Sequence, residues 1–377
     1  MRVSILSNGP GELWDWARPV IAELRRREHS VSLWLLPCQF ASGHERRVAS
    51  EFGVDKLDGP DSASATWRAM KWEKTDCVAQ LGGDLMFGRH LAKITHAPLF
   101  CYAYGYKKGM KHVRVFTATN SMASDISARA GYMARGYGIR AIGDLTKDSL
   151  SMEYGTFAWE GKNRLLLLPG SRFAIRNAAL PWMSEIVRYL RRLVPSLQVK
   201  SLFSPFVPES EFAVWRDAGL SPVRLSAGSV MKCADYALTQ PGTNTLEMMH
   251  CGLPALVAAP YDFLKVIPVS GVAGILSGVP FLGSYLKTRS LRRGLKRNGG
   301  FMSWPNRLAG ESVMDEIMGN ITPEDIAKEI AKSIQNSEKL KTAREKLLSI
   351  SKEEDEIREK SATALFCDAI ESVCGGA

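Results

Sequence analysis

Pro169-Gly170-Ser171-Arg172 stands directly behind four leucines, Leu165 to Leu168. A run of that kind is a strand buried on both faces. At its end it delivers a turn, a capping serine and a guanidinium, a set that suits a diphosphate. Gln240-Pro241-Gly242-Thr243-Asn244-Thr245-Leu246-Glu247 follows a second apolar run, Tyr236 to Thr239, and opens a helix. Its small residues leave backbone N–H groups free at a helix N-terminus, where phosphate oxygens bind, and Glu247 one turn in can accept from a ribose diol. Two such elements in one half of a chain point to a nucleotide. In the other half, Val3 to Leu6 runs into Ser7-Asn8-Gly9-Pro10-Gly11-Glu12, whose glycines permit a tight turn and close approach of a ligand. The pair Gly9-x-Gly11 lacks the third glycine of a dinucleotide fingerprint, and no acid is placed to hold a ribose, which speaks against nicotinamide or flavin. Glu12, Asp15 and Asp84, the last within Leu81-Gly82-Gly83-Asp84, stand at strand ends where parallel α/β folds hold their chemistry. For each acid singly, helix capping is the plainer role.

These segments need a scaffold that sets strand ends side by side. Short apolar strands alternate with amphipathic helices along the chain, the mark of parallel α/β units. The first set comprises the strand Val3 to Leu6, the helix Trp16 to Arg27, and the strands Val31 to Leu36, Cys77 to Leu81, Leu99 to Tyr102 and Val115 to Ala118. The second opens at Arg164 and continues through the helix Trp182 to Leu193 and the strands Val199 to Phe203, Tyr236 to Thr239 and Ala255 to Ala258. Two doubly wound, Rossmann-like parallel-sheet domains are expected, 1–158 and 159–340, parted within the polar stretch Tyr154 to Asn163. The tail from Thr322 is strongly charged and helical, and helices over 341–377 are expected to pack back on the first domain.

The 377 residues, 45% hydrophobic and 23% charged, suffice for two domains that each bury a core. A net charge of +10 favours anionic partners without choosing among nucleic acid, phosphorylated metabolites and an anionic membrane. Seven scattered cysteines, none in a Cys-x-x-Cys pair, suggest neither a disulfide framework nor a zinc site. The apolar run of MRVSILSNGPGE is too short for a signal-peptide core, so a cytoplasmic location is expected.

Together with Cys251-Gly252-Leu253-Pro254 and Met302-Ser303-Trp304-Pro305-Asn306-Arg307-Leu308-Ala309-Gly310, the second-half motifs resemble the lipid-A-disaccharide synthase family, closely from about Arg164 to Ile326. The resemblance implies a GT-B fold, two Rossmann-like domains facing a cleft. It implies an inverting, metal-independent transfer of a diacylglucosamine unit from its UDP carrier to a monosaccharide lipid, with no cofactor beyond the UDP-sugar donor and no nucleic-acid partner. It makes Arg172, Gly242, Thr243, Glu247 and Asn306 donor-nucleotide residues, beside Gly170, Ser171 and Asn244 of the same loops. A carboxylate must then take the acceptor's proton; Asp84 is the first candidate, Glu12 the second and Asp15 the third. The first half departs from the family: Gly11-Glu12 is followed by Leu13-Trp14-Asp15-Trp16, with the acid one place early, and Tyr102-Ala103-Tyr104-Gly105-Tyr106 replaces a Pro-Ser-x-x-Trp segment. The resemblance therefore fixes neither sugar. A UDP-sugar 2-epimerase of the same fold and a non-catalytic nucleotide-sugar-binding membrane protein stay open, as does the oligomeric state, a homodimer included.

One stretch fits lipid. Val266 to Leu286 carries no charge, and Lys287, Arg289, Arg292, Arg293, Lys296 and Arg297 follow at once. A single crossing would part Glu247 from Asn306, and four glycines and two prolines disfavour a continuous helix. The insert, 262–300, is expected to dip into one leaflet of an anionic membrane with its basic run on lipid phosphates. A buried pair of apolar helices is the alternative.

Overall fold

The computed structural model describes residues 1–38, 41–130, 138–153, 155, 157–261, 299–353 and 359–375. They fall into two compact units, Met1–Met152 with Glu354–Ala377, and Glu153–Glu353. The division thus comes at 152, ahead of the polar stretch. The C-terminal helices are shared out: Ser337–Glu353 belongs with the second unit and Ala362–Cys374 with the first.

In the first unit, β1 (Arg2–Ser7), β2 (Ser30–Leu35), β3 (Lys56–Asp58), β4 (Cys77–Gln80), β5 (Leu99–Tyr102), β6 (Arg114–Thr117) and β7 (Ile139–Ala141) form one sheet. Its order is β3-β2-β1-β4-β5-β6-β7 and its pairings are parallel. The second unit repeats the plan with β8 (Arg164–Leu167), β9 (Gln198–Leu202), β10 (Pro222–Val223), β11 (Tyr236–Thr239), β12 (Ala255–Pro260) and β13 (Asp315–Gly319), in the order β10-β9-β8-β11-β12-β13. These pairings too are parallel. Both sheets reverse their winding once, between β1 and β4 and between β8 and β11. In such sheets ligands bind beyond the carboxyl ends of the strands at that reversal.

The central strands form where they do because their side chains are apolar on both faces. Leu165, Leu166 and Leu167 are fully buried, as are Cys77, Val78 and Ala79. The opposite, amino ends of the two reversal points carry the same clamp. Arg2, the first residue of β1, gives its backbone N–H to Asp76 Oδ2 at 2.7 Å and its Nη2 to Oδ1 at 2.6 Å. Arg164, the first residue of β8, does the same to Asp235 at 2.8 and 2.6 Å. Each aspartate directly precedes the partner strand, so one fork ties the two middle strands of each sheet. Hydrogen bonds from Arg2 hold the Asp76 carboxyl below its usual range. Burial pushes Asp235 up, but Arg164 outweighs it and the net shift is down.

Two helices begin earlier than their sequences suggest. The expected helix from Trp16 starts at Pro10: a short α-turn, Pro10–Glu12, passes through a π-helical segment, Leu13–Ala17, into Arg18–Arg26. The helix expected from Trp182 runs Phe173–Leu193 straight through Pro181. Proline in a helix interior removes a donor and crowds the preceding turn. The apolar stripe Ala179, Met183, Ile186 and Leu190, buried on the sheet, holds the helix together across it. In the first unit the C-terminal helix Ala362–Cys374 is fastened by Phe366, edge-on to Phe116 at 5.3 Å, and by Arg27, which pairs with Asp368 and Glu371 at 2.7 and 2.6 Å. Thr363 N–H donates to Asp148 at 2.6 Å.

Candidate functional site

β8 and β11 are neighbours, with Leu167 paired to Leu238 and Leu168 N–H bonded to Leu238 O at 3.0 Å. Adjacent strands lie about 4.8 Å apart, so the loops Pro169–Arg172 and Gln240–Thr243 rise side by side. The structure therefore brings together Gly170, Ser171, Arg172, Gly242, Thr243, Asn244 and Glu247. Ser171 is not the cap that its sequence suggests. Arg172 occupies the cap position of the helix Phe173–Leu193, in an extended conformation and without a side-chain cap bond. Thr243 caps Asn244–Cys251 with helical backbone angles and likewise without a side-chain cap bond. Two helices thus point N-termini without cap side chains to one edge of one sheet, a setting for anions. Gly170 has φ +90°, which strains any L side chain, and Arg172 and Glu247 are both half-buried.

The second loop is fixed from below. Asn244 Nδ2 donates to Thr239 Oγ1, so that amide latches the loop. Thr245 Oγ1 donates to Gly242 O at 2.8 Å and accepts from Trp304 N–H at 3.2 Å, which ties Met302 to Gly310 to the same place. Gln240 Nε2 is buried beside it without a hydrogen-bond partner among the described residues.

Asn306 does not fit the role of a nucleotide contact. It is fully buried, and its amide is saturated: Nδ2 donates to Met314 O and Glu316 Oε1 at 2.9 and 2.7 Å, and Oδ1 accepts from Val313 and Met314 N–H at 2.7 and 2.8 Å. Glu316 also accepts from the N–H groups of Met302 and Ser303, at 2.8 Å each. Asn306 and Glu316 therefore build the segment that supports Thr245. Glu316, on a strand that the sequence did not reveal, was missed.

In the first unit the ends of β1 and β4 are joined by Ser7 Oγ, which donates to Leu81 O at 2.8 Å. Gly82 has φ +122°, and a Cβ there would lie 2.9 Å from Glu12 Cβ and 3.0 Å from Asn8 Oδ1. The Gly82-Gly83 turn is therefore pressed against the loop Asn8 to Glu12. Gln80, fully buried, shapes that turn: Nε2 donates to Gly82 O and Asp84 O at 2.9 and 2.7 Å, and Oε1 accepts from Gly88 N–H at 3.0 Å. The three acids part here. Asp84 is exposed and caps Leu85–Thr95, with Oδ1 accepting from Met86 N–H at 2.9 Å. Glu12 is half-buried, and its carboxylate has no hydrogen bond or ion pair among the described residues. Asp15 is 4% exposed within the π-helical segment, which sets its carboxylate inside the fold. Asn8 Oδ1 is buried with no partner among the described residues.

The aromatic segment after β5 is structural for the most part. Tyr102 OH donates to Gly143 O at 2.8 Å, Tyr104 OH donates to Asp144 Oδ1 at 2.5 Å, and Trp16 lies edge-on to both rings. Burial, with Asp144 beside it, raises the Tyr104 phenol well above its usual value. Tyr106 alone of the three is exposed.

Among the described residues, no three His, Cys, Asp or Glu side chains are gathered to hold a metal ion. None of the described helices is long and apolar enough to cross a membrane. Residues 262–298 of the insert, Val266 to Arg297 included, lie outside the described residues.

The fold is that of the GT-B enzymes, two parallel-sheet α/β domains. Acinetobacter baumannii MurG is similar with a TM-score of 0.54 and 14% identity, covering 98% of this chain and 99% of that one. The UDP-GlcNAc 2-epimerase of Neisseria meningitidis bound to UDP-GlcNAc is similar with a TM-score of 0.60 and 13% identity, covering 99% and 100%. At these identities the likeness is one of fold. In sequence, the chain is 25% identical over 208 residues to the lipid-A-disaccharide synthase of Trichlorobacter lovleyi, 54% of this chain and 47% of that protein. The match thus spans about half the length of that relative. No model of a known protein family matches the chain.

Proposed function

We propose that the chain is a UDP-sugar-dependent glycosyltransferase of the lipid-A-disaccharide-synthase kind, which passes an acylated glucosamine to a lipid-linked acceptor at the cytoplasmic face of the inner membrane. The observation that carries this reading is the pair of open helix N-termini beside Arg172 at the β8 and β11 edge. The partial match to a lipid-A-disaccharide synthase supports it.

In this reading the second unit holds the donor. Arg172 and the N–H groups of both loops lie on the diphosphate, and Glu247 accepts from the ribose. The acceptor hydroxyl, held by the first unit, attacks the anomeric carbon as the bond from that carbon to the diphosphate oxygen breaks. Charge builds on the departing UDP, where fixed donors stabilise it most. The hydroxyl proton passes to a carboxylate. Glu12 is the better base of the two acids at the β1 and β4 ends, because its carboxylate has no partner among the described residues while one oxygen of Asp84 already caps a helix. The basic run to Arg297 serves as the contact with anionic lipid.

The purified chain, given UDP-diacylglucosamine and a diacylglucosamine phosphate, is expected to release UDP and an acylated disaccharide in equal amounts by mass spectrometry. UDP release without a disaccharide would defeat the reading. A second reading, UDP-sugar 2-epimerase, is favoured by the similarity to the Neisseria enzyme. It predicts interconversion of UDP-GlcNAc and its C2 epimer with no lipid present.

A further inference from the structure

The buried stripe of the helix Phe173–Leu193 runs Ala179, Met183, Ile186 and Leu190, and three residues before Ala179 that stripe carries an arginine. Arg176 is 1% exposed. A guanidinium there is disfavoured twice, by loss of water and by the positive end of the helix dipole. Glu211, in the first turn of Ser210–Asp217, answers the charge with a two-point fork: Nε to Oε2 at 2.8 Å and Nη2 to Oε1 at 2.6 Å. Buried pairs of this kind are often replaced by apolar residues of similar volume with no loss of stability. The pair's distinctive contribution lies elsewhere.

The fork leaves Nη1, which faces the carbonyl of Gly170 at 3.5 Å. That contact is long, but it draws a carbonyl toward a cation that cannot move. In a trans peptide the C=O and the following N–H point in opposite directions. A Gly170 carbonyl turned inward to Arg176 therefore turns Ser171 N–H outward, at the mouth of the helix. The positive φ of Gly170 is what lets the loop take that course. We infer that Arg176 and Glu211 are positioning residues that lock the 170–171 peptide so that Ser171 N–H is presented to the diphosphate of the donor. The inference rests on the donor-site reading above and names the part of the ligand that this pair serves.

The test compares UDP with uridine by calorimetry, because uridine lacks the group that the lock serves. Wild type is expected to bind UDP more tightly than uridine. In the double variant Arg176→Met with Glu211→Met, UDP affinity is expected to fall roughly tenfold, the scale of one lost hydrogen bond to a charged group, while uridine affinity and the thermal midpoint stay as in wild type. Should the double variant melt early, Glu211→Gln loosens the fork with little change of volume, and about a threefold loss specific to UDP is expected. A fall shared equally by UDP and uridine, or an unchanged preference for UDP, overturns the lock while leaving the donor site standing. A wild type that does not distinguish UDP from uridine removes the donor-site reading and the lock together.

Discussion

Glu12→Gln is expected to lower the rate of glycosyl transfer by roughly 10²- to 10⁴-fold, the range that one positioned base supplies, with UDP affinity unchanged. Glutamine keeps the size and shape of the side chain beside Gly82 and removes only its capacity to take a proton. A group that acts as the transition state forms is missed in kcat and not in ground-state binding. Asp84→Asn is the paired measurement. Asparagine is itself a good cap, so the Leu85–Thr95 helix should survive, and activity should stay within a fewfold of wild type. A collapse of kcat in Asp84→Asn with Glu12→Gln fully active would return the base to Asp84, the acid that the sequence put first.

Arg172→Ala is expected to weaken UDP by roughly ten- to hundredfold, since a charge-assisted hydrogen bond is worth about 1.5–3 kcal/mol. The residue sits at the cap position of a 21-residue helix whose side-chain cap bond is missing. The backbone donors remain in the variant, so binding should weaken without vanishing. Addition of salt should weaken wild type more than the variant, because the variant has lost a charge that salt screens.

The strand ends that carry the candidate site were legible in the sequence where the chain marks them chemically. Each central strand is mostly apolar, and Gly or Pro stands two residues beyond its end: Gly9, Gly82, Pro169 and Pro241. Those four places are the carboxyl ends of β1, β4, β8 and β11, at the two reversals of winding. Edge strands were not legible. β3, β7 and β10 are two or three residues long, and β13 is half-buried throughout, so none shows an apolar run. Asn306 shows a different limit. Its motif marks it as important, but only the bonds to Val313, Met314 and Glu316 reveal that its amide is spent on building the loop's support. Arg176 left a signal that could have been used, a charge at a position that helical spacing assigns to the core. Asp15 and Tyr104 left none, because the packing that buries them joins segments some ninety residues apart, as in the Trp16 to Tyr104 contact.

UDP is proposed to sit on the β8 and β11 edge of the second unit. Amide hydrogen exchange with and without saturating UDP tests it directly, since bound phosphate oxygens slow the exchange of the N–H groups that they accept from. Slowed exchange is expected at residues 170–173 and 242–246, with 8–12 and 81–84 unchanged. Slowed exchange confined to 8–12 and 81–84, or none at either second-unit loop, would contradict it.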